Sequence, residues 1–345
     1  MRIYLILFTF LFSASLESAP LLSIICSGRN DNYGGNFLDR MAFFMHSADR
    51  FKIKTELVIV EWNPIKGKPG LFEIIKEWDK KLPFKNKVRV IVVSEENHQK
   101  FCKYYDCQNT PFSFQEFPAK NVGFRHAKGK YIIQTNPDNF FSLTLIKRVE
   151  KAINNQFTGI IVGEPVRIDV KPVSSFVSLI DMDPKNIKNY LEELDQEFSS
   201  EIKGDCSPLG DFMLFKKDSV LKMKGFPEDP MGISHFESPF LCKYFQKNKY
   251  ERLMRKKGFT TYHFDHGRQY SGGAVAQETD KALINAGLNK SRGCKQGNAL
   301  RCICLSSIYS FSKNRPEKMK ELCQELPQND ENWGCFNLKL EEYQI

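Results

Sequence analysis

Polar residues follow several short apolar runs of the sequence, and their types suit a phosphorylated ligand. The run that ends at Cys26 leads into a loop with three glycines, Arg29 and Asp31. Glycine lets backbone amides approach a phosphate closely, and a guanidinium can donate two hydrogen bonds to a diphosphate. The run TELVIVE ends in Glu61, whose carboxylate can accept from a ribose hydroxyl or a base N–H. Taken alone, the loop is as well explained by a surface turn, and Glu61 is better explained as an ordinary strand-end charge.

A further run, YIIQT, leads into an amide and a carboxylate two residues apart, Asn136 and Asp138. Hard divalent cations such as Mn²⁺ or Mg²⁺ prefer oxygen ligands, and a cation held by Asp138 can in turn bind a diphosphate. Asparagine and proline also favour tight turns. In isolation, this segment is therefore better explained as a turn that binds no ligand.

Apolar runs alternate with amphipathic stretches in the order that builds a parallel sheet with helices on both faces. We predict the first four strands at residues 21–26, 55–61, 88–94 and 131–136. The predicted helices among them span residues 37–51, 71–80, 95–104, 118–128 and 143–154. Two later strands are predicted at residues 211–215 and 259–264. Ligands bind beyond the carboxyl ends of parallel strands, which is where the polar residues lie.

The stretch NVGFRHAKGKYIIQTNPD, residues 121–138, resembles the central signature of family 2-type GT-A glycosyltransferases. In that signature, an Asn-x-Gly…Ala-x-Gly helix runs into a strand that ends in an Asp-x-Asp metal motif. Four more segments resemble the family in the same order, over residues 21–270 in all. They are the opening strand with Arg29-Asn30-Asp31, the strand VIVE, the segment GDFMLFKK with GFPED, and TTYHFDH.

The resemblance implies a GT-A fold, which is a Rossmann-like α/β fold with a mostly parallel sheet flanked by helices. It implies transfer of a sugar, with inversion, from a nucleotide-sugar such as a UDP-sugar to a glycan or glycoprotein acceptor. Under it, the nucleotide is bound by Arg29, Asp31, Glu61, Arg125 and Asn136. Mn²⁺ or Mg²⁺ is held by Asp138, His263 and His266. The catalytic base is Glu237, with Asp211 and Asp229 as the reserve candidates.

Two positions depart from the family pattern. Asn136 stands where the metal motif has its first aspartate, and it adds no charge. Ser238 replaces the second acid of the Glu-Asp pair that usually supplies the base, which leaves Glu237. Both departures favour an alternative, a catalytically inactive secreted binding protein that has kept the fold. A nucleotidyltransferase is less favoured, because the loop after the first strand lacks a basic glycine-rich signature.

The beginning of the chain has the pattern of a secretory signal. Met1 and Arg2 precede the apolar run at residues 3–12, and small residues follow it. The run is shorter than the roughly 20 residues of a spanning helix, so we favour a cleaved signal over a short signal-anchor. Both place the protein in the secretory pathway, in the ER or Golgi lumen or outside the cell. Any membrane attachment would run through this segment only.

Cysteine usage agrees with a location in the secretory pathway. The ten cysteines suit an oxidising compartment, and five of them fall in the last quarter of the chain. We predict a signal segment at residues 1–18, a GT-A domain at 19–288 and a disulfide-stapled C-terminal extension at 289–345. Cys26, which lies in an apolar run, is predicted to be a buried free thiol.

The net charge of +9 is spread along the chain without a basic block, so no nucleic-acid partner is expected.

Overall fold

The computed structural model describes most of the sheet and the helices that cover it. It describes residues 18–32, 36–105, 114–168, 189, 191–192, 195, 212–226, 228, 240, 253–264 and 329–345. The strands are β1 (Leu22–Gly28), β2 (Thr55–Trp62), β3 (Lys87–Val93), β4 (Tyr131–Thr135), β5 (Asn139–Phe140), β6 (Ile160–Ile168), β7 (Phe212–Lys216), β8 (Leu253–Phe264) and β9 (Glu341–Gln344). The helices are α1 (Phe37–Ala48), α2 (Leu71–Lys81), α3 (Glu95–Tyr104), α4 (Glu116–His126), α5 (Leu143–Asn154) and α6 (Lys217–Met223).

These strands form a single nine-stranded sheet in the order β5-β8-β6-β7-β4-β1-β2-β3-β9. The central strands β4, β1, β2 and β3 are parallel to one another. Strand β7 runs antiparallel to β4, and β9 runs antiparallel to β3. The predicted α/β fold with a mostly parallel central sheet flanked by helices is confirmed. The antiparallel pairings around this centre were not predicted.

Both faces of the central sheet are covered, which explains its unbroken apolar strands. All seven residues of β1 and all eight of β2 are buried. Alternate side chains enter opposite cores: Ile24 and Leu57 pack on the face of α1, α2 and α5, whereas Ile25 and Val58 pack on the face of α3 and α4. Continuous apolar strands of this kind are typical of parallel sheets buried between helix layers.

The last residues of the chain are built into the same sheet and core. Trp333 and Cys335 belong to the core on the α3 and α4 face, and β9 extends the sheet beyond β3. Cys26 and Cys335 are buried free thiols, as predicted for Cys26. The other four C-terminal cysteines and the predicted boundary at residue 288 lie outside the described residues. The disulfide-stapled extension therefore stays a prediction.

A buried ion network joins β9 to its neighbour β3 and, through β3, to β2. The Arg89 guanidinium, 1% exposed, donates to the Glu56 carboxylate at 2.9 Å and to the Glu342 carboxylate at 2.8 Å. A backbone carbonyl, that of His126, accepts a third hydrogen bond from it at 2.8 Å. Glu56 in turn accepts from the Ser23 hydroxyl and from the Lys128 backbone. The network lies at the amino ends of the parallel strands.

Among the helices that the structure describes, none has the length and hydropathy of a transmembrane segment. The predicted signal segment at residues 1–18 falls almost wholly outside the described residues, so it stays a prediction.

Candidate functional site

The carboxyl ends of β1, β2 and β4 bring together most of the described residues that the sequence singled out. The register pairs Gly28 with Glu61 across β1 and β2. Strand β4 lies on the other side of β1 and ends at Thr135, immediately before Asn136. Polar groups from three strands therefore meet at the carboxyl ends of the central strands, and we call this region the strand-end site.

The loop after β1 holds an internally paired arginine. The Arg29 guanidinium donates to Asp31 from Nε at 3.1 Å and from Nη2 at 3.0 Å, so both hydrogen bonds reach one carboxylate oxygen. Asn30 joins the loop to the segment before α2 by donating to the Pro69 carbonyl at 3.0 Å. The ion pair orients the guanidinium at the strand end, where an anionic ligand would compete with Asp31 for it.

Glu61 is buried at the end of β2, with 1% of its surface exposed. Its Oε2 accepts from the Leu71 backbone N–H at 2.9 Å, which satisfies an amide in the first turn of α2. Helix α2 needs this partner because its N-cap residue, Gly70, has no side chain to serve. Oε1 makes no hydrogen bond within the described residues. Burial raises the pKa of Glu61 from its ordinary 4.5 to about 7, so this carboxyl titrates near neutral pH.

Asn136 is held by a residue that the sequence analysis did not single out. The Lys120 ammonium donates to Asn136 Oδ1 at 2.8 Å and to Glu116 Oε1 at 2.6 Å. The Lys120 side chain is 1% exposed, whereas that of Glu116 is 42% exposed. Helix α4 runs antiparallel to β4, so its first turns reach the carboxyl end of that strand. A lysine one position before the signature motif was the available signal.

Asp138 and His263 form the second pair at this edge. Strand β5 pairs with β8 so that Asn139 faces His263, which brings the imidazole beside the preceding residue. Nε2 of His263 lies 3.6 Å from Oδ2 of Asp138, and the two side chains are 16% and 10% exposed. Burial raises the pKa of the Cys26 thiol in β1, and the charges of Lys120 and Asp138 act on it in opposite directions.

The Asp138–His263 pair fits a divalent cation in part. Ligand bonds of about 2.0–2.2 Å let one ion bridge two atoms that are 3.6 Å apart. In the part of the chain that the structure describes, no group of three or more His, Cys, Asp or Glu residues is placed to hold a metal. Mg²⁺-type ions are commonly held by one or two carboxylates together with substrate phosphates. Two protein ligands plus a diphosphate therefore make a chemically reasonable set.

Arg125 lies away from the strand-end site. It is in the last turn of α4, where its guanidinium packs 4.5 Å from the Trp333 ring centre and 4.2 Å from that of Phe336. It also donates to the Glu331 backbone carbonyl at 2.5 Å. The structure thus places this predicted nucleotide contact against the C-terminal segment instead. Lys120 and Arg125 lie on the same helix, but Lys120 lies toward the carboxyl ends of the central strands and Arg125 toward their amino ends.

Glu228, from the segment GFPED, also binds the C-terminal segment. It is 1% exposed and accepts from Tyr105 at 2.7 Å, Asn121 at 2.8 Å and the Gly334 backbone at 2.8 Å. Burial raises its pKa above the ordinary value, while these hydrogen bonds lower it. Its role in the described structure is therefore to hold residues 329–334 in place.

The predicted base candidates Glu237, Asp211 and Asp229 lie outside the described residues, as does the second histidine, His266. Their roles stay predictions. Of the described candidates, the strand-end site brings together five. They are Arg29, Asp31, Glu61, Asn136 and Asp138, and β8 adds His263.

No protein-family model matches the sequence, and no curated protein matches it. Solved structures with a similar chain course include S. aureus TarS residues 1–349, with 14% identity, a TM-score of 0.44 and coverage of 87% of this chain and 77% of that chain. Glucosyl-3-phosphoglycerate synthase from Mycobacterium tuberculosis, solved in complex with phosphoglyceric acid, has 10% identity, a TM-score of 0.39 and coverage of 79% and 82%. Similarity this low assigns no activity to the present chain.

Proposed function

We propose that the protein is a glycosyltransferase of the GT-A kind, which transfers a sugar from a nucleotide-sugar donor, a UDP-sugar, to a glycan or glycoprotein acceptor. One observation carries this proposal, the meeting of polar groups from three parallel strand ends at one edge of a doubly covered sheet. That edge is where α/β proteins bind nucleotides. The order of motifs along the sequence supports the same function.

The donor would lie across the strand-end site. Glu61, with a carboxyl that titrates near neutral pH, can accept from or donate to the ribose or the base. Arg29 would exchange its bond to Asp31 for one to the diphosphate. Asp138 and His263 would hold Mn²⁺ or Mg²⁺, with His266 as a further proposed ligand. When bound, that ion neutralises the β-phosphate and makes UDP a better leaving group.

We assign acceptor activation to Glu237, with Asp211 as the alternative. The carboxylate would take the proton of the acceptor hydroxyl while the hydroxyl oxygen attacks the anomeric carbon. The new glycosidic C–O bond forms as the bond between that carbon and the phosphate oxygen breaks. The bonding electron pair leaves with UDP. A single displacement of this kind inverts the anomeric configuration.

The proposed place of action is the secretory pathway, in the ER or Golgi lumen or outside the cell. The support comes from the apolar run at residues 3–12 and from the ten cysteines. Attachment to the membrane, if any, is assigned to the N-terminal segment.

A second candidate function is a secreted binding protein that has kept the fold without catalysis. Asn136 and Ser238, which stand where the family pattern has acids, favour it. Such a protein would bind the nucleotide without transferring sugar. Transfer and hydrolysis assays with UDP-sugars therefore separate the two candidates once binding is established.

The test is a calorimetric titration of the purified protein with UDP, with and without Mn²⁺. We expect UDP binding that Mn²⁺ tightens, and we expect Asp138→Ala to lose the tightening. Asp218→Ala is the matched control, because Asp218 is an exposed acid that follows β7 at the opposite edge of the sheet. Absence of binding to UDP, GDP and their sugars under every metal condition would overturn the proposal.

A further inference from the structure

The strand-end site contains a buried cation that the proposed chemistry does not use. Lys120 enters the site from helix α4, and its side chain is 1% exposed. Lysine is almost never buried to this extent unless its ammonium is paired, because removing the charge from water is unfavourable. Its two hydrogen-bond partners, Glu116 and Asn136, show how the structure accommodates the charge.

The contact with Asn136 affects metal binding directly. Oδ1 of Asn136 is the oxygen that a metal would need from this residue, and it already accepts from the ammonium at 2.8 Å. A divalent cation placed on the same oxygen would meet a like charge at close range. Asn136 also lacks the negative charge that would favour the metal over the ammonium. Among the described residues of this turn, Asp138 is therefore the carboxylate that can bind a metal.

The same contact places a positive charge where a diphosphate is expected. Lys120 pairs with Glu116, whose carboxylate is 42% exposed and has room to turn toward water. The ammonium has three N–H donors, of which the Glu116 and Asn136 contacts use two. A phosphate oxygen can take the third donor or displace Glu116. Charge-assisted hydrogen bonds of this kind are among the stronger ones in proteins.

We propose that Lys120 supplies the positive charge that a metal bound at residue 136 would otherwise supply, so that the site binds a nucleoside diphosphate without a divalent metal. This inference rests on the proposed function, because it concerns the same ligand. A metal held by Asp138 and His263 would add to a site that is already cationic. Lys120 thereby becomes a determinant of metal dependence.

The first experiment measures UDP affinity in a chelating buffer and in Mn²⁺, for the wild type and for Lys120→Met. We expect chelation to weaken wild-type binding by less than tenfold. In the chelating buffer, Lys120→Met should bind about 10- to 100-fold more weakly than the wild type, the loss typical of one charge-assisted hydrogen bond. Lys130→Met is the matched control, since it removes an exposed lysine before β4, at the opposite edge of the sheet.

A second experiment measures Mn²⁺ binding without any nucleotide. The double variant Lys120→Met/Asn136→Asp replaces the ammonium and the amide with a second carboxylate ligand. We expect it to bind Mn²⁺ at least tenfold more tightly than the wild type. Asn136→Asp alone should gain much less, because its new carboxylate would pair with Lys120. An equal gain by the single variant would overturn the inference, even if Lys120→Met alone proved unstable.

The outcomes separate this inference from the proposed function. Wild-type protein that binds UDP only when Mn²⁺ is present would overturn the role of Lys120 and leave the proposed function standing. The same holds if Lys120→Met binds UDP in chelator as tightly as the wild type. No UDP binding with or without metal would overturn the proposed function itself.

Discussion

At the scale of single residues, Glu61 has both a structural role and a proposed functional role. The sequence identified it as a strand-end acid, and the structure adds its bond to the first turn of α2. Its burial, and hence its raised pKa, depends on packing that no local sequence pattern reveals. A side chain of this kind links the stability of the fold to the protonation state of the site.

Glu61 should make stability depend on pH. Its pKa is about 7 when folded and near 4.5 when exposed, so the folded state binds the extra proton between these values. The contribution of Glu61 to the free energy of unfolding should therefore fall by about 3 kcal/mol as the pH rises from 4.5 to 7. Urea unfolding at pH 5 and pH 7.5 measures this change. We expect Glu61→Gln to remove it, and a pH dependence equal to that of the wild type would contradict the assignment.

The residues of the candidate site show what the sequence could and could not predict. The sequence analysis singled out Asn136 and Asp138 because they follow a predicted strand, and His263 because it lies in a late strand of the motif order. Lys120 was missed, because the buried side of α4 depends on how that helix packs against β1 and β2. Arg125 was predicted at the site, yet it lies nine positions after Glu116. Nine positions span about 14 Å of helix, so Glu116 and Arg125 lie toward opposite ends of the central strands.

At the scale of elements, apolar runs predicted the central strands to within a few residues. Strands β1 to β4 could be found because they are buried on both faces and read as continuous apolar stretches. Strand β9 could not be found, because its sequence EEYQ is polar and exposed. It exists through its pairing with β3 and the contact of Glu342 with Arg89, both of which are long-range.

The ion pair with Arg89 should show in the acid sensitivity of the protein. The hydrogen bond from Arg89 lowers the pKa of Glu342 from 4.5 to about 2. Stability from this pair should be present above pH 4.5 and be lost as the pH falls toward 2. Glu342 is 36% exposed, so we expect Glu342→Gln to lower the free energy of unfolding by only about 1 kcal/mol at pH 7.

Thermal or urea unfolding at pH 7 and pH 3 measures this effect. Glu341→Gln is the matched control, since Glu341 is an exposed neighbour that does not contact Arg89. The difference between Glu342→Gln and the wild type should shrink at pH 3. A difference that stays the same at both pH values would argue against the ion pair as its cause.

At the scale of the whole molecule, the C-terminal residues complete both the core and the sheet. Asn329 and Gly334 hydrogen-bond with Glu228, and the Trp333 side chain is 3% exposed in the core. The sequence analysis predicted a disulfide-stapled extension over residues 289–345, and its described part, residues 329–345, packs into the core and the sheet. Composition shifts along the chain reveal where its character changes, but they do not reveal whether a later segment returns to the first core.

Removal of residues 329–345 should therefore damage the domain itself. We expect this truncation to expose the core around Trp333, to lower the melting temperature by at least 10 °C and to abolish UDP binding. Removal of residues 341–345 alone should leave the core around Trp333 intact and cause a smaller loss. Differential scanning fluorimetry of the three proteins orders them, and a truncated protein as stable as the full chain would refute this view.

The pairing of β9 with β3 also has a consequence for biosynthesis. Arg89 and Glu342 are 253 residues apart in the chain, so β3 emerges from the ribosome long before its outer partner exists. Until then, the nascent domain presents an unpaired strand edge with Arg89 only partly neutralised. Open edges of this kind invite association between chains, so the nascent chain should benefit from chaperone protection between the synthesis of β3 and that of β9.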